Sequence, residues 1–225
     1  MMEESLSFWP FSFTIVLPRL VDGILVTLKL TFLSGSLGLI LGMILALLRL
    51  SPFFPFKVFA TAYVTFFRGT PLLLQLLFIY FALPVLINVT LDSFPAGVLA
   101  LSLNAAAYLA EIFRSAIESI PHGQKEAGWA LGLSEWQTMR QIIIPQTYRR
   151  IIPPLVNEFA ALTKETALVS VISLPELLFM TQRLGAKYLR PWEVYIWAAL
   201  GYLLVVMSLS MLAHFLEKKL ARKGE

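Results

Sequence analysis

The chain contains no cysteine, so disulfides, thiolate-ligated zinc, iron–sulfur clusters and thiol catalysis are excluded. It has two histidines, His122 and His214, far apart and without a second histidine at helical spacing, which argues against a histidine-based metal site. Charge is scarce: 14% of the 225 residues are charged, against about 25% in an ordinary soluble domain. No G-x-x-x-x-G-K-[ST] phosphate loop is present, so ATP is not expected to bind here by that route. The first ten residues, MMEESLSFWP, are acidic and lack a basic start; a cleavable signal is not expected. No internal repeat of the kind an inverted-repeat carrier would show is visible.

What the chain has instead is apolar sequence. It is 58% hydrophobic with a mean hydropathy of +0.76, a balance that points to the bilayer. A hydrocarbon core about 30 Å thick needs roughly 20 helical residues. Five segments qualify, at about 16–48, 58–87, 95–119, 151–174 and 193–216. The expectation is an all-α membrane protein with about five transmembrane helices in a single domain, 1–225. The first two segments are long enough to include an interfacial turn or a strong tilt. Gly35, Gly38 and Gly42 in the first suggest close helix packing, and Arg68-Gly69-Thr70-Pro71 interrupts the second.

The net charge of +4 reads as a surplus of cytoplasmic cations, not as a nucleic-acid surface. Arg49 and Lys57 lie between spans one and two; Lys125, Arg140, Arg149 and Arg150 between three and four; Lys218, Lys219, Arg222 and Lys223 in the tail. With five spans these regions share one side, which places the C-terminus in the cytoplasm and the N-terminus, with Glu3 and Glu4, outside. Arg19 and the cluster Arg183, Lys187 and Arg190 run against this pattern. The cluster either docks an extracytoplasmic partner, lines a gate, or is a solvated loop.

Ionisable residues inside a span are costly and point to function or to paired packing. At about 1.5 Å per residue, Arg114 lies roughly 10 Å inside the cytoplasmic end of span three and Glu111 roughly 15 Å, near mid-membrane. Asn104, Tyr108 and Glu111 share one face, and Glu111 and Arg114 have pairing distance at i, i+3. In span four Glu158 lies roughly 10 Å deep, and Lys164 and Glu165 roughly 20 Å. Asn157, Glu158, Thr163, Lys164 and Glu165 form one broad polar side, which a lipid-facing helix would not carry. These residues, with Gln75 and Tyr80 in span two, are the candidate pathway residues. The alternative is that Glu111–Arg114 and Lys164–Glu165 are structural pairs. Arg68, Arg114 and Glu118 are candidates for a gate or for packing.

The stretch 120–146, IPHGQKEAGWALGLSEWQTMRQIIIPQ, is polar and patterned. Ala127, Ala130 and Leu131 stand at i, i+3, i+4, which predicts a short amphipathic helix. Gly132 is placed to end it. Ser134 and Gln137 form a capping-box pattern for a second helix, with Leu133 and Trp136 packing the turn and Pro145 closing it. Glu126-Ala127-Gly128, then Gly132, then Ile142-Ile143-Ile144-Pro145 resembles the EAA loop of ATP-binding-cassette (ABC) importer permeases. Gly128 stands where a third alanine is usual and Ile144 where leucine is usual. Residues 27–50, Phe67 to Pro71, Ala116 to Gln124 and Lys164 to Ser170 resemble the polar amino acid branch of that family, so the likeness spans about residues 20–217.

The resemblance implies a type I importer-permease fold whose loop is a coupling helix, seated in a groove on a separate ATPase. Glu126, Ala127, Gly128 and Gly132, with Gln124, Lys125 and Arg140, are the contact candidates. It further implies two ATPase copies holding ATP and magnesium, so that this chain needs no cofactor and is not itself an enzyme. A second permease copy, favouring a homodimer, and an extracytoplasmic substrate-binding protein complete the assembly, in the cytoplasmic membrane of a bacterium or archaeon. Buried carboxylates favour a cationic or zwitterionic amino acid, since they accept from ammonium and guanidinium groups. The competing reading is a non-ABC carrier or channel using Glu111 and Glu158 as ion sites, which leaves the 120–146 loop unexplained. An intramembrane enzyme lacks a nucleophile–base set, and a purely structural role leaves the polar spans unexplained.

Overall fold

The computed structural model describes residues 7–221. The side chains of Arg149, Ala213, His214 and residues 216–221 lie outside that description, as do Glu3, Glu4 and the tail cations used above for orientation. Every regular element among the described residues is helical. In chain order these are α1 (Phe8–Leu50), α2 (Phe54–Gly69), α3 (Leu72–Ile87), α4 (Ser93–Glu118), α5 (His122–Ala130), α6 (135–165), α7 (Leu177–Tyr188) and α8 (Pro191–Ala221). A tighter 3₁₀ stretch, Thr166–Ile172, extends α6.

Among the described residues, three helices are long and apolar enough to cross a membrane: Phe8–Leu50, Ser93–Glu118 and Pro191–Leu212. Two bent pairs raise the number to five if each counts as one span. Within the expected span 58–87 the interruption at Arg68 to Pro71 is a sharp bend: α2 and α3 meet at 104° across Thr70-Pro71. The expected loop 175–192 is mostly helix α7, set at 51° to the segment before it. The first expected span, 16–48, is part of a 43-residue helix.

Close packing of α1 against α4 and α6 is what the glycines of α1 permit. A methyl group on Gly42 would lie 2.8 Å from Leu109 Cβ, and one on Gly38 3.0 Å from Ala105 Cβ. One on Gly35 would run into the Phe159 ring. The facing stretch of α4 is equally small, with Ala100, Ala105, Ala106, Ala107 and Ala110 buried. Backbones thus approach where lipid offers no hydrophobic drive for association. A second core, of Phe11, Val16, Leu20, Leu177, Leu184 and Val194, clamps α7 between the starts of α1 and α8.

Of the prolines inside continuous helices, Pro18, Pro84 and Pro145 each come just after a wide π turn, whereas Pro153 and Pro154 lie within the regular part of α6. Ser12–Val16 precedes Pro18, Phe78–Ala82 precedes Pro84, and Met139–Ile143 precedes Pro145. Proline cannot donate the i→i−4 hydrogen bond and its ring crowds the preceding turn. A π turn shifts the ladder by one residue and absorbs both problems. Pro145 therefore does not close the second loop helix. The helix begun at Glu135 passes through it and runs on to Glu165 as α6.

Candidate functional site

At one end of the molecule, α5 and the start of α6 form a two-helix loop. Gly132, at φ +78°, ends α5, with Leu133 N–H donating to Gly128 C=O at 3.1 Å. Ser134 caps α6: Gln137 N–H donates to its Oγ at 3.3 Å, while Ser134 N–H donates to Gln137 Oε1 at 2.8 Å. Both donors at the new helix start are thereby satisfied. Gly128 is buried against α6, where a methyl group would lie 2.7 Å from Thr138 Oγ1. Gln146 donates to Gln124 Oε1 at 3.0 Å, and Arg150 donates to Ser119 C=O at 2.7 Å. The loop is thus tied to α6 and to the end of α4. Its other face is open: Glu126, Ala127, Ala130 and Arg140 are exposed, as are Leu131 (77%) and Trp136 (69%). Trp136 does not pack the turn as its position suggests, because capping already closes it.

Above this loop lies an ion cluster. Glu111 is paired with Arg49 at the end of α1 and with Arg114 in its own helix, and Arg114 also holds Glu118. Arg68, from the end of α2, stands 3.8 Å from Glu111 and lays its guanidinium over the Tyr108 ring at 5.2 Å. The Arg49 side chain, at the end of α1, thus reaches across to Glu111 on α4. Nothing in the spacing of the sequence links Arg49 to residue 111.

Gln75 and Asn104 are also committed to the fold. Gln75 Nε2 donates to Phe67 C=O at 2.9 Å and to Thr70 Oγ1 at 2.8 Å. Asn104 Nδ2 donates to Gln75 Oε1 at 3.0 Å and to Phe67 C=O at 3.3 Å. Together they cap the carbonyls freed where α2 stops and pin the 104° bend to α4. Thr163 is buried and donates to Phe159 C=O at 2.8 Å.

The remaining polar candidates stay open. Tyr108, Asn157 and Lys164 are exposed, while Tyr80, Glu158 and Glu165 are half-buried. Among the described residues no ion pair joins Lys164 to Glu165, and none engages Glu158. Arg68 nonetheless acts electrostatically on Glu158. Arg68, Tyr108 and Glu158 thus bring α2, α4 and α6 to one polar locus, and no group of three or more His, Asp or Glu side chains suited to a metal occurs among the described residues.

Membrane helices, an interrupted polar interior and a rigid loop with an exposed apolar face together define a type I importer permease, the membrane subunit of a transporter energised from outside the chain. Over residues 38–223 the chain matches the family described as "Binding-protein-dependent transport system inner membrane component", and it belongs to that family. It is 43% identical over 211 residues to the arginine transport system permease protein ArtQ of Bacillus subtilis (strain 168), covering 93% of this chain and 96% of that one. It is 43% identical over 217 residues to the L-cystine transport system permease protein TcyB of the same organism, covering 96% and 89%. A crystal structure of an amino acid ABC transporter with histidines superposes with a TM-score of 0.89 at 37% identity, covering 96% and 99%. The chain is a multi-pass inner-membrane permease subunit of an ABC importer, not an enzyme; ATP hydrolysis belongs to a separate subunit, and a substrate-binding protein is a further partner of the family.

Proposed function

We propose that the chain carries polar amino acids, basic ones favoured, into the cell by alternating access as one of two permease copies driven by two ATPase subunits. The observation that carries this reading is the two-helix loop. It is capped at the turn, tied to α4 and α6, and exposes Leu131 and Trp136 to a partner. Exposed apolar side chains on a rigid element mark a docking surface. Glu126, with Gln124, Lys125 and Arg140, supplies the polar rim, and Ala127 with Gly132 permits close approach.

The ATPase is cytoplasmic in this reading, so the loop end faces the cytoplasm and the start of α1 faces outward. Arg49, Lys57, Lys125, Arg140 and Arg150 at the loop end support that orientation. Movement at the loop reaches the path through Arg150 and the Glu111 cluster, which join α1, α2, α4 and α6. The path itself passes Arg68, Tyr108 and Glu158, with Asn157, Lys164, Glu165 and Tyr80 beside it. Glu158 supplies an acceptor for a cationic side chain or ammonium group. The identities to ArtQ and TcyB are equal at 43%, so similarity alone does not choose between the arginine and cystine of their names.

The test is ATP-driven uptake of a panel of labelled amino acids in proteoliposomes holding this chain, its ATPase and its binding protein. Glu126→Lys is expected to abolish uptake while the subunits stay folded, and Glu158→Gln to shift the substrate profile away from basic amino acids. Uptake that proceeds without the ATPase and follows an ion gradient would overturn the reading.

A further inference from the structure

The two sets of basic residues that run against the cytoplasmic surplus, Arg19 and the 183–190 cluster, come together in the fold. Arg19 on α1 and Arg183 and Lys187 on α7 line one cleft of about 250 Å³, floored by Ile15, Met180 and Leu184. The cleft lies at the end of the molecule opposite the coupling loop. Leu20 and Leu184, buried in the core that clamps α7, hold its walls together. No carboxylate pairs with Arg19, Arg183 or Lys187 among the described residues. Lys187 lies over the neighbouring Tyr188 ring at 4.8 Å.

The register of α1 on α4 sets the height of the cleft. Ser34 faces Val98, Gly38 faces Ala105, Gly42 faces Leu109 and Arg49 reaches Glu111. The two helices run the same way, so Ser93, where α4 starts, is level with about residues 26 to 29 of α1. Arg19 then stands roughly 10–15 Å beyond the start of α4. On the Arg19 face, the next turns of α1 present Asp22 and Lys29, both exposed. A lipid headgroup site would continue into an unbroken apolar track for the acyl chains, and here Asp22 and Lys29 interrupt the exposed Val21 and Leu25. A free amino acid fits no better, because its ammonium group finds three cations and no carboxylate among the residues that line the cleft. A protein surface bearing carboxylates meets both conditions.

We propose that Arg19, Arg183 and Lys187 form the docking contact for acidic side chains on the extracytoplasmic substrate-binding protein. This rests on the importer reading above and assigns it a surface. Approach of the loaded protein would be steered by these cations, so its affinity falls as salt screens them.

The experiment uses the complete transporter, this chain with its ATPase, in nanodiscs of phosphatidylcholine or phosphatidylglycerol. The dissociation constant of the purified cognate binding protein, loaded with its amino acid, is measured across salt concentrations together with the ATPase stimulation it causes. Arg183→Glu is expected to raise Kd tenfold or more at low salt, with a smaller rise for Arg183→Gln and for Arg19→Gln. In each variant the salt dependence is expected to be shallower than in wild type. An Asp- or Glu-to-Lys exchange on the binding protein is expected to recover affinity for Arg183→Glu. If wild type is stimulated normally and the variants keep its Kd and salt slope, the docking proposal falls and the importer reading stands. If loaded binding protein neither binds nor stimulates wild type, the importer reading itself falls. A rise in Kd confined to phosphatidylglycerol nanodiscs would make the cleft a lipid headgroup site and overturn the proposal.

Discussion

Among the described residues, Glu111 is the only carboxylate paired with both Arg49 and Arg114, and Arg68 stands 3.8 Å from it. Neutralising it in Glu111→Gln leaves these three cations facing one another in a partly enclosed site. Breaking a fully buried pair costs about 3–5 kcal/mol. With Glu111 at 23% side-chain exposure, a loss of about 2–3 kcal/mol is expected. Thermal melting of the purified permease in detergent would show it as a lowered Tm, and Arg114→Gln, which leaves Glu111 paired with Arg49, should lose less. The Gln75–Asn104 pair makes a different residue-scale prediction. Gln75→Ala strips the carbonyls of Phe67 and Thr70 of a donor. At about 1–3 kcal/mol for a buried group left unpaired, the bend at residues 70–71 should loosen, and hydrogen exchange of Leu74 to Phe78 should rise while that of α8 does not. A fully maintained exchange pattern would show that the amide network does not hold the bend.

At the scale of elements, the coupling loop shows how far local chemistry carries. Gly132 as a terminator and Ser134–Gln137 as a capping box are legible because each acts within a few residues. Gly35, Gly38 and Gly42 are legible because spacing alone puts them on one face. Pro145 misleads because the π turn that accommodates it is a property of the whole helix, not of the residue. Helix α7 is hidden because its anchors Phe11 and Val16 lie far away in sequence. The pairing of Gln75 with Asn104, 29 residues apart, likewise gives two polar pathway candidates a hold on the bend that their spacing does not reveal. Gly128 carries the element-scale prediction. The alanine usual at that position would place a methyl 2.7 Å from both Thr138 Oγ1 and Cγ2, so in this chain the glycine and the threonine are matched. Gly128→Ala should pry α5 from α6, costing about 1–3 kcal/mol as an overpacked site. It should reduce ATP-driven uptake, and Thr138→Ala in the same chain should restore it. If Gly128→Ala alone transports at the wild-type rate, the loop tolerates separation and its rigidity is not what couples.

For the whole molecule, force and path are separated in space and joined by few contacts. In the proposed assembly the exposed loop face receives the partner; Arg150 and Gln146 fasten the loop to the bundle, and the Glu111 cluster joins the ends of α1, α2 and α4 just above. Leu131 and Trp136 are 77% and 69% exposed, so in the proposed assembly it is the partner that covers them. Leu131→Asp is accordingly expected to leave the Tm of the isolated permease within about 1 °C, since surface changes away from buried features usually stay within ~0.5 kcal/mol. The same change should weaken ATPase assembly at least tenfold, because a charge there is desolvated on docking without a partner. Co-purification of the ATPase with the permease, titrated against ATPase concentration, measures the second effect, and a melt of the permease alone measures the first. A variant that melts early would mean Leu131 supports the fold. One that melts normally and assembles normally would place the ATPase seat elsewhere on the loop, on the Glu126 side of α5.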